Sequence, residues 1–230
     1  SWLHEHRFPD SLALAHALSG EIKVDLEEAI QERGAASLVV SGGRTPVKLF
    51  EQLRTEQLDW SKVWVTLADE RWVETNQSAS NEKMVRETLL TGAAAAAHFV
   101  GLKNPARAPE AGADWAARAL TRVPHPFDVV LLGMGTDGHF ASLFPGLPET
   151  KAGLDLHNPA LCVAVDKQQN GYARMSLTIS ALLHSRLILV AISGRPKRAV
   201  ALQALAGAGN TPIATLLSHR KDDLEFLWTE

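Results

Sequence analysis

One cysteine, Cys162, is all that the 230 residues contain. A single thiol excludes an intramolecular disulfide and any multi-cysteine metal or iron–sulfur site, and its apolar setting, Leu161-Cys-Val-Ala-Val165, suits a buried small hydrophobe. A reducing, cytoplasmic setting is expected. The N-terminal stretch Ser1-Trp-Leu-His-Glu-His-Arg-Phe-Pro9 has no basic start followed by an apolar segment. No uninterrupted apolar run approaches the roughly 18 residues that cross a bilayer, so neither a signal nor a membrane segment is expected. An excess of one charge is missing as well. Lys and Arg number 23 against 26 Asp and Glu, a formal charge of −3 without long runs of one sign. That leaves no electrostatic footprint for nucleic acid or an anionic membrane. Hydrophobic residues make up 46% and charged residues 21%, which excludes disorder and fibre and allows a full core. No linker is long enough to split the chain and no repeat of fixed period occurs, so residues 1–230 read as a single domain.

Several catalytic signatures are also missing. There is no Gly-x-Ser-x-Gly elbow, no His-Glu-x-x-His and no Cys, His and carboxylate cluster at metal-ligand spacing. This argues against a covalent serine hydrolase and a zinc hydrolase. His4-Glu5-His6 could take up adventitious metal, but a mobile terminus explains it better.

The pattern that is present alternates strands with helices. Leu14, Leu18, Ile22, Leu26 and Ile30 recur every fourth residue and predict a helix over Asp10 to Arg33, stopped by Gly34. Ser37 to Ser41 predicts a buried strand, Gly42 to Pro46 a glycine turn and Val47 to Leu53 a helix. Lys62 to Ala68 reads as a strand, Asn81 to Leu90 as a helix, and Glu110 to Arg122 as a helix with Trp115 and Ala119 on one face. Asp128 to Leu132, Leu161 to Val165, Ala173 to Thr178 and Leu187 to Ile192 are strand-like, and Arg195 to Leu205 is helical. The alanine-rich Ala93 to Ala97 reads as a frayed helix end or a tolerant loop. Continuous apolar strands alternating with helices predict a doubly wound, Rossmann-like α/β fold, its mainly parallel sheet covered by helices on both faces.

In such a sheet, ligands gather beyond the carboxyl ends of the strands. Ser41-Gly-Gly-Arg-Thr-Pro46 lies there, with glycines that let N–H groups approach an anion, Thr45 as N-cap and Pro46 at the first helical position. A tight turn without a ligand would look the same, and the Gly-Lys-Ser/Thr ending of a nucleoside triphosphate loop is absent. Gly133-x-Gly135-x-x-Gly138 matches the dinucleotide fingerprint formally. Its context does not, because Pro145, Gly146, Pro148, Gly153 and Pro159 leave no room for the long helix that should follow. Hydride transfer is therefore a third choice. The segment fits better as a loop presenting Asp137 and His139, with His139 as a base that titrates near neutrality. The alternative for His139 is a hydrogen-bonded structural residue, and the other eight histidines sit in no comparable setting. Asp69-Glu70-Arg71 ends a strand, and alternation would aim Asp69 and Arg71 to one side, although a solvated loop accounts for it equally well. Arg174 and Lys197 flank strands too, as surface cations or as partners of the same anion.

Taken in order, Val39-Val-Ser-Gly-Gly-Arg-Thr-Pro46, Ala68-Asp-Glu-Arg-Trp-Val73 and Gly133-Met-Gly-Thr-Asp-Gly-His-Phe-Ala-Ser-Leu-Phe-Pro-Gly146 resemble the 6-phosphogluconolactonase family, within the group that includes glucosamine-6-phosphate deaminases. The likeness runs from Ser41 to beyond Lys197. In the deaminase branch the corresponding segments are expected to read Asp-Glu-Tyr and Gly-His-Ile-Ala-Phe-Asn-Glu-Pro, whereas Arg71 and Ser142-Leu-Phe-Pro-Gly146 follow the lactonase branch. Arg44 departs from the pattern, where a small residue is commoner.

The resemblance implies hydrolysis of 6-phospho-D-glucono-1,5-lactone to 6-phosphogluconate in the oxidative pentose phosphate pathway, without metal or organic cofactor. It implies His139 as the base that activates water and then protonates the leaving ring oxygen, and Asp137 orienting His139 or the substrate hydroxyls. Arg71, positioned with help from Asp69, would stabilise the oxyanion or grip phosphate. Ser41, Gly42, Gly43, Arg44 and Thr45, with Arg174 and Lys197, would cradle the 6-phosphate; Lys197 is carried by its match to the family's Gly-x-x-Lys segment. Two other functions stay in view, the sister deaminase and a sugar-phosphate sensor without turnover. The expected partner is the small sugar-phosphate lactone, and the expected state is a monomer or weak homodimer.

Overall fold

The computed structural model of the chain describes residues 5–166, 171–220 and 222–230. His4 of the terminal triplet lies outside them. Its neighbours Glu5 to Arg7 are not a loose tail: Glu5–Arg7 form strand β1, hydrogen-bonded in parallel to the last strand of the chain. Helix α1 spans Ser11–Arg33; the Asp10 carboxylate accepts from the Ala13 N–H at 2.8 Å, and Gly34, at φ +82°, ends the helix by donating to the Ile30 carbonyl. Leu14, Leu18, Ile22 and Leu26 are buried while Ile30 is half-buried. A repeat of four drifts about 40° per step around a helix of 3.6 residues per turn, which carries the fifth residue off the buried stripe.

Strand β2 (Ala36–Val40), helix α2 (Thr45–Leu53) and strands β3 (Val63–Leu67) and β4 (Asp69–Arg71) follow. Next come helix α3 (Asn81–Thr88), a 3₁₀ turn over Gly92–Ala96 in the alanine-rich stretch, and strand β5 (His98–Val100). Helix α4 (Pro109–Leu120) leads to β6 (Phe127–Leu132), short helix α5 (Pro148–Gly153), strands β7 (Cys162–Val165) and β8 (Arg174–Leu177), and short helix α6 (Ile179–Leu183). Strand β9 (Ser185–Ser193), helices α7 (Arg195–Leu205) and α8 (Pro212–Arg220) and strand β10 (Leu224–Thr229) complete the chain.

Seven strands form one sheet in the order β1-β10-β9-β6-β2-β3-β5, every neighbouring pair parallel. All residues of β2 and β6 are buried, as strands covered on both faces are, including the two polar ones, Ser37 and Asp128, which pair through the Ser37 N–H donating to Asp128 Oδ2 at 2.8 Å. From β2 the chain winds outward through β3 to β5, then returns to β6 on the other side of β2 and winds outward again through β9 to β10. Right-handed crossovers therefore place α1 and α2 on one face and α4, α7 and α8 on the other. The direction reverses between β2 and β6, and this is where a crevice opens in a doubly wound sheet. Among the described residues, no helix is long and apolar enough to cross a membrane.

Two strands assigned by pattern to the main sheet lie elsewhere. Strands β7 and β8 join β4 in a separate antiparallel sheet, in the order β4-β8-β7. Short apolar strands do not declare their partners. The junction is Ala68, whose N–H donates to Val40 in the large sheet and whose carbonyl accepts from Leu177 in the small one, both at 2.8 Å. In α4 the fully buried face is Gly112, Ala116 and Leu120, while Trp115 and Ala119, four residues apart on a neighbouring face, are exposed and half-buried. Cys162 is buried as expected, and burial pushes its thiol up to about 12, which makes it inert.

Candidate active site

A cleft of about 280 Å³ opens at the switch point, beyond the carboxyl ends of β2, β6 and β9 and against the small sheet. Ser41 to Pro46 line one side, Gly133 to Gly135 and His139 a second, Asp69, Arg71 and Arg174 a third, and Ser193 and Lys197 the last. Ten of the eleven residues expected from the sequence thus meet in one cavity, and Asp137 stands just behind His139. Four cationic side chains, Arg44, Arg71, Arg174 and Lys197, line it with one carboxylate, Asp69.

On the first side the chain leaves β2, turns through Gly42 and Gly43 and enters α2. Gly43 has φ +102°, a conformation costly for any side chain. A Cβ on Gly42 would lie 2.1 Å from Asn81 Oδ1, so glycine there admits the Asn81 amide. The helix begins one residue earlier than expected: Thr45 is already helical, and the N-cap is Arg44, which makes no side-chain capping bond. Pro46 has no N–H and the Val47 N–H donates to the Arg44 carbonyl at 3.3 Å, so this helix start, the positive end of the dipole, carries no side-chain cap where it meets the cleft. The Ser41 hydroxyl donates to the Leu131 carbonyl at 3.1 Å, tying β2 to β6 at the cleft floor.

The second side is a tight loop after β6. Asp137 Oδ1 accepts from the His139 backbone N–H at 3.0 Å and lies 2.5 Å from His139 Nδ1. This holds the imidazole with Nδ1 toward the carboxylate and leaves Nε2 as its outward nitrogen. Burial pushes the Asp137 carboxyl up, but the His139 N–H groups prevail and hold it below the usual range. The ring also packs against Phe144, with centroids 4.6 Å apart. Gly135 makes room, because a Cβ there would come within 2.3 Å of His139 Cε1 and Nδ1. Of the two tasks open to Asp137, the one its bonds fit is holding His139.

The third side comes from the small sheet. Alternation along β4 brings Asp69 and Arg71 to the cleft together, and Arg174 faces Arg71 across the β4–β8 ladder. The expected support of Arg71 by Asp69 is replaced by other partners. Arg71 Nη1 donates to the Ala79 carbonyl at 2.9 Å, and its guanidinium lies over Tyr172 at 5.8 Å. Asp69 instead accepts from Ser142 Oγ at 2.6 Å, and its carbonyl accepts from Asn81 Nδ2 at 3.0 Å. Arg174 is buried, with its guanidinium 5.1 Å from the Phe144 ring centroid. Burial pushes its pKa down and Arg71 adds to this, while Asp69 opposes it. Asn81 and Ser142 are residues that sequence reasoning missed. A polar residue opening a helix and a serine after a histidine loop carry no signal of their own until the fold brings them to Asp69.

A glycine turn at a helix start, a carboxylate-held histidine and a group of cations thus meet within one switch-point crevice. Comparison with known proteins gives that arrangement its context. Residues 9–228 match the model for glucosamine-6-phosphate isomerases/6-phosphogluconolactonase. The chain belongs to this family. A 6-phosphogluconolactonase of Pseudomonas putida is 43% identical over 225 residues, covering 97% of this chain and 91% of the relative. One of Rhizobium meliloti is 40% identical over 225 residues, covering 97% of each. The crystal structure of a 6-phosphogluconolactonase from Shewanella baltica superimposes with a TM-score of 0.93 at 45% identity, over 99% of this chain and 97% of that one. Along the whole doubly wound framework, then, the chain is similar to proteins that bear the lactonase name.

Proposed function

We propose that this chain, acting as one unit over residues 1–230, hydrolyses 6-phospho-D-glucono-1,5-lactone to 6-phospho-D-gluconate without a metal ion. The observation that carries the reading is the shared cleft: a histidine held at Nδ1 by Asp137 lines the same cavity as the glycine turn and four cations. Relatives named 6-phosphogluconolactonase over nearly the full length support the substrate. Among the described residues, no group of three or more His, Cys, Asp or Glu could hold a metal ion.

In this mechanism the 6-phosphate sits on the N–H groups of Gly42, Gly43 and Arg44, with the Thr45 hydroxyl and the side chains of Arg44, Lys197 and Arg174 around it. Water near His139 Nε2 adds to C1 while the imidazole takes its proton. The carbonyl electrons move to oxygen, and Arg71 stabilises that oxyanion. When the tetrahedral species collapses, the C1 to ring-oxygen bond breaks and His139 returns the proton to the departing oxygen. The product carboxylic acid then ionises. Asp137 keeps the tautomer that makes both transfers possible, and Asp69 holds the small sheet to the histidine loop through Ser142.

The test is His139→Ala with freshly generated lactone. General-base help is worth about 10²–10⁴-fold, so kcat falls by that order while competitive inhibition by inorganic phosphate persists. Turnover at the wild-type rate in this variant would remove His139 from the mechanism. Release of ammonia from glucosamine 6-phosphate, assayed alongside, would favour the deaminase instead.

A further inference from the structure

Glu70 lies between Asp69 and Arg71 in the same three-residue strand, yet it plays no part in the mechanism above. It is fully buried, and alternation turns its side chain away from the cleft. A buried carboxylate needs donors, and this one has an unusual supply. Oε1 accepts from the Asn81 N–H at 2.7 Å and from the Arg71 N–H at 2.9 Å; Oε2 accepts from the Glu82 N–H at 2.8 Å, with Ser80 Oγ at 3.5 Å. Those groups belong to two different elements, β4 and the first turn of α3. Ser80 already caps α3 by accepting from Lys83, so the helix end has its own cap without Glu70. What Glu70 adds is a bond between the helix end and the Arg71 main chain.

Each group that Glu70 holds leads into the cleft. Arg71 lines it, with its guanidinium kept in place by the Ala79 carbonyl one residue before Ser80. Asn81 lines it too, donating to the Asp69 carbonyl and packing so closely on Gly42 that no Cβ would fit there. One carboxylate thus joins the arginine side of the cleft to the buttress of the glycine turn.

We propose that Glu70 is a positioning residue that sets the cleft's affinity for the phosphoryl group through Asn81, the buttress of the Gly42 turn, and that holds Arg71 at the oxyanion side of the same cleft. This rests on the reading of the cleft as a sugar-phosphate site. Burial pushes the Glu70 carboxyl up to about 7, against the pull of the N–H donors.

The test compares wild type with Glu70→Gln and Glu70→Asp, using inorganic phosphate as the probe and fresh lactone as the substrate. Gln keeps the shape but sets an NH₂ group against N–H donors; Asp keeps the charge but is one methylene short. The expected result for Glu70→Gln is an increase of about tenfold in both the phosphate inhibition constant and KM, a loss near 1.4 kcal/mol, with kcat lowered as well because the same carboxylate holds Arg71 at the oxyanion. Glu70→Asp falls between the two and supplies the answer if Glu70→Gln does not fold. Unchanged phosphate affinity and KM in a folded variant, whatever its melting temperature, would overturn the proposal, since a structural role alone moves Tm and not the affinity. Phosphate affinity is also measurable by direct titration without turnover. A wild type that binds phosphate but leaves the lactone untouched would therefore refute the lactonase reading and still allow Glu70 to be judged.

Discussion

Gly135→Ala places one methyl group where the His139 imidazole now lies. The new Cβ would stand 2.3 Å from Cε1 and Nδ1 of the ring and 2.8 Å from Asp137 Oδ1. Ordinary contact begins at 3.4 Å, so the ring must retreat by roughly 1 Å. Gly135 is not among the glycines with positive φ, so alanine costs no backbone strain and the effect comes from the side chain alone. The ring cannot retreat together with its partner, because Asp137 Oδ1 is pinned by the His139 backbone N–H as well as by Nδ1. The imidazole has to leave the carboxylate or leave its place in the cleft, and either breaks the arrangement proposed for catalysis.

A displacement of about 1 Å at a reacting group costs on the order of 10²-fold. Gly135→Ala is thus expected to lower kcat/KM by about that factor, approaching the His139→Ala variant, with most of the loss in kcat. Phosphate inhibition should be unaffected, because the glycine turn lies across the cleft. The assay forms the lactone with glucose-6-phosphate dehydrogenase and follows its disappearance above the spontaneous rate, alongside a melting curve to confirm folding. A folded Gly135→Ala protein within threefold of wild type would refute the claim that the His139 position matters to the chemistry.

Lys197→Ala removes a charge-assisted contact of about 1.5–3 kcal/mol and should raise KM by roughly 10- to 100-fold with little change in kcat; a selective fall in kcat would give Lys197 another task. Gly20→Ala in α1, where an added Cβ meets nothing within 4 Å, should stabilise the protein by about 0.5–1 kcal/mol and leave activity unchanged, read as a rise in Tm. Burial and then the hydrogen bond to Glu225 push the Glu21 carboxyl from 4.5 up to about 8. The folded state therefore holds a proton that the unfolded chain has lost between these pH values, and stability declines as pH rises from about 4.5 to about 8. Glu21→Gln should flatten that decline and raise Tm at pH 8 more than at pH 5; equal Tm differences at the two pH values would show that Glu21 is not the group responsible.

Much of this arrangement was legible in advance because it is local. Helix α7 begins and ends where its pattern put it, and α1 begins one residue after the expected start, because Asp10 proved to be its cap. The histidine loop was recognisable from the prolines and glycines that forbid a helix after Gly138. Other features depend on contacts that no window of sequence contains. Strand β10 is held between β1 and β9, from opposite ends of the chain, and none of the flanking strand Glu5–Arg7, helix α8 or β10 was expected. The Ser142 to Asp69 bond spans 73 residues and the Asn81 to Asp69 bond 12, so neither role could be read from spacing. The expected Asp69 to Arg71 support failed for a related reason: same-face neighbours on a strand reach the same cavity but need not bond to each other.

The small sheet explains why the cations converge. A parallel sheet delivers turns to one edge of the molecule, and here it supplies the glycine turn and the histidine loop. It cannot by itself close the remaining side of the crevice with charged side chains. The antiparallel β4–β8 pair does so by setting Arg71 directly opposite Arg174, although like charges facing each other across a ladder are destabilising. Asp69, one turn of the pleat away and fixed by Ser142, opposes that repulsion at Arg174. Slipping β4 by one residue would bury Arg71 and turn Glu70 into the cleft, so the register is as important as the residues themselves. Under the reading proposed here, a ladder that tolerates two facing arginines is suited to a phosphorylated lactone, because the phosphate at Arg174 and the oxyanion that forms at Arg71 supply the negative charge that the sheet alone lacks.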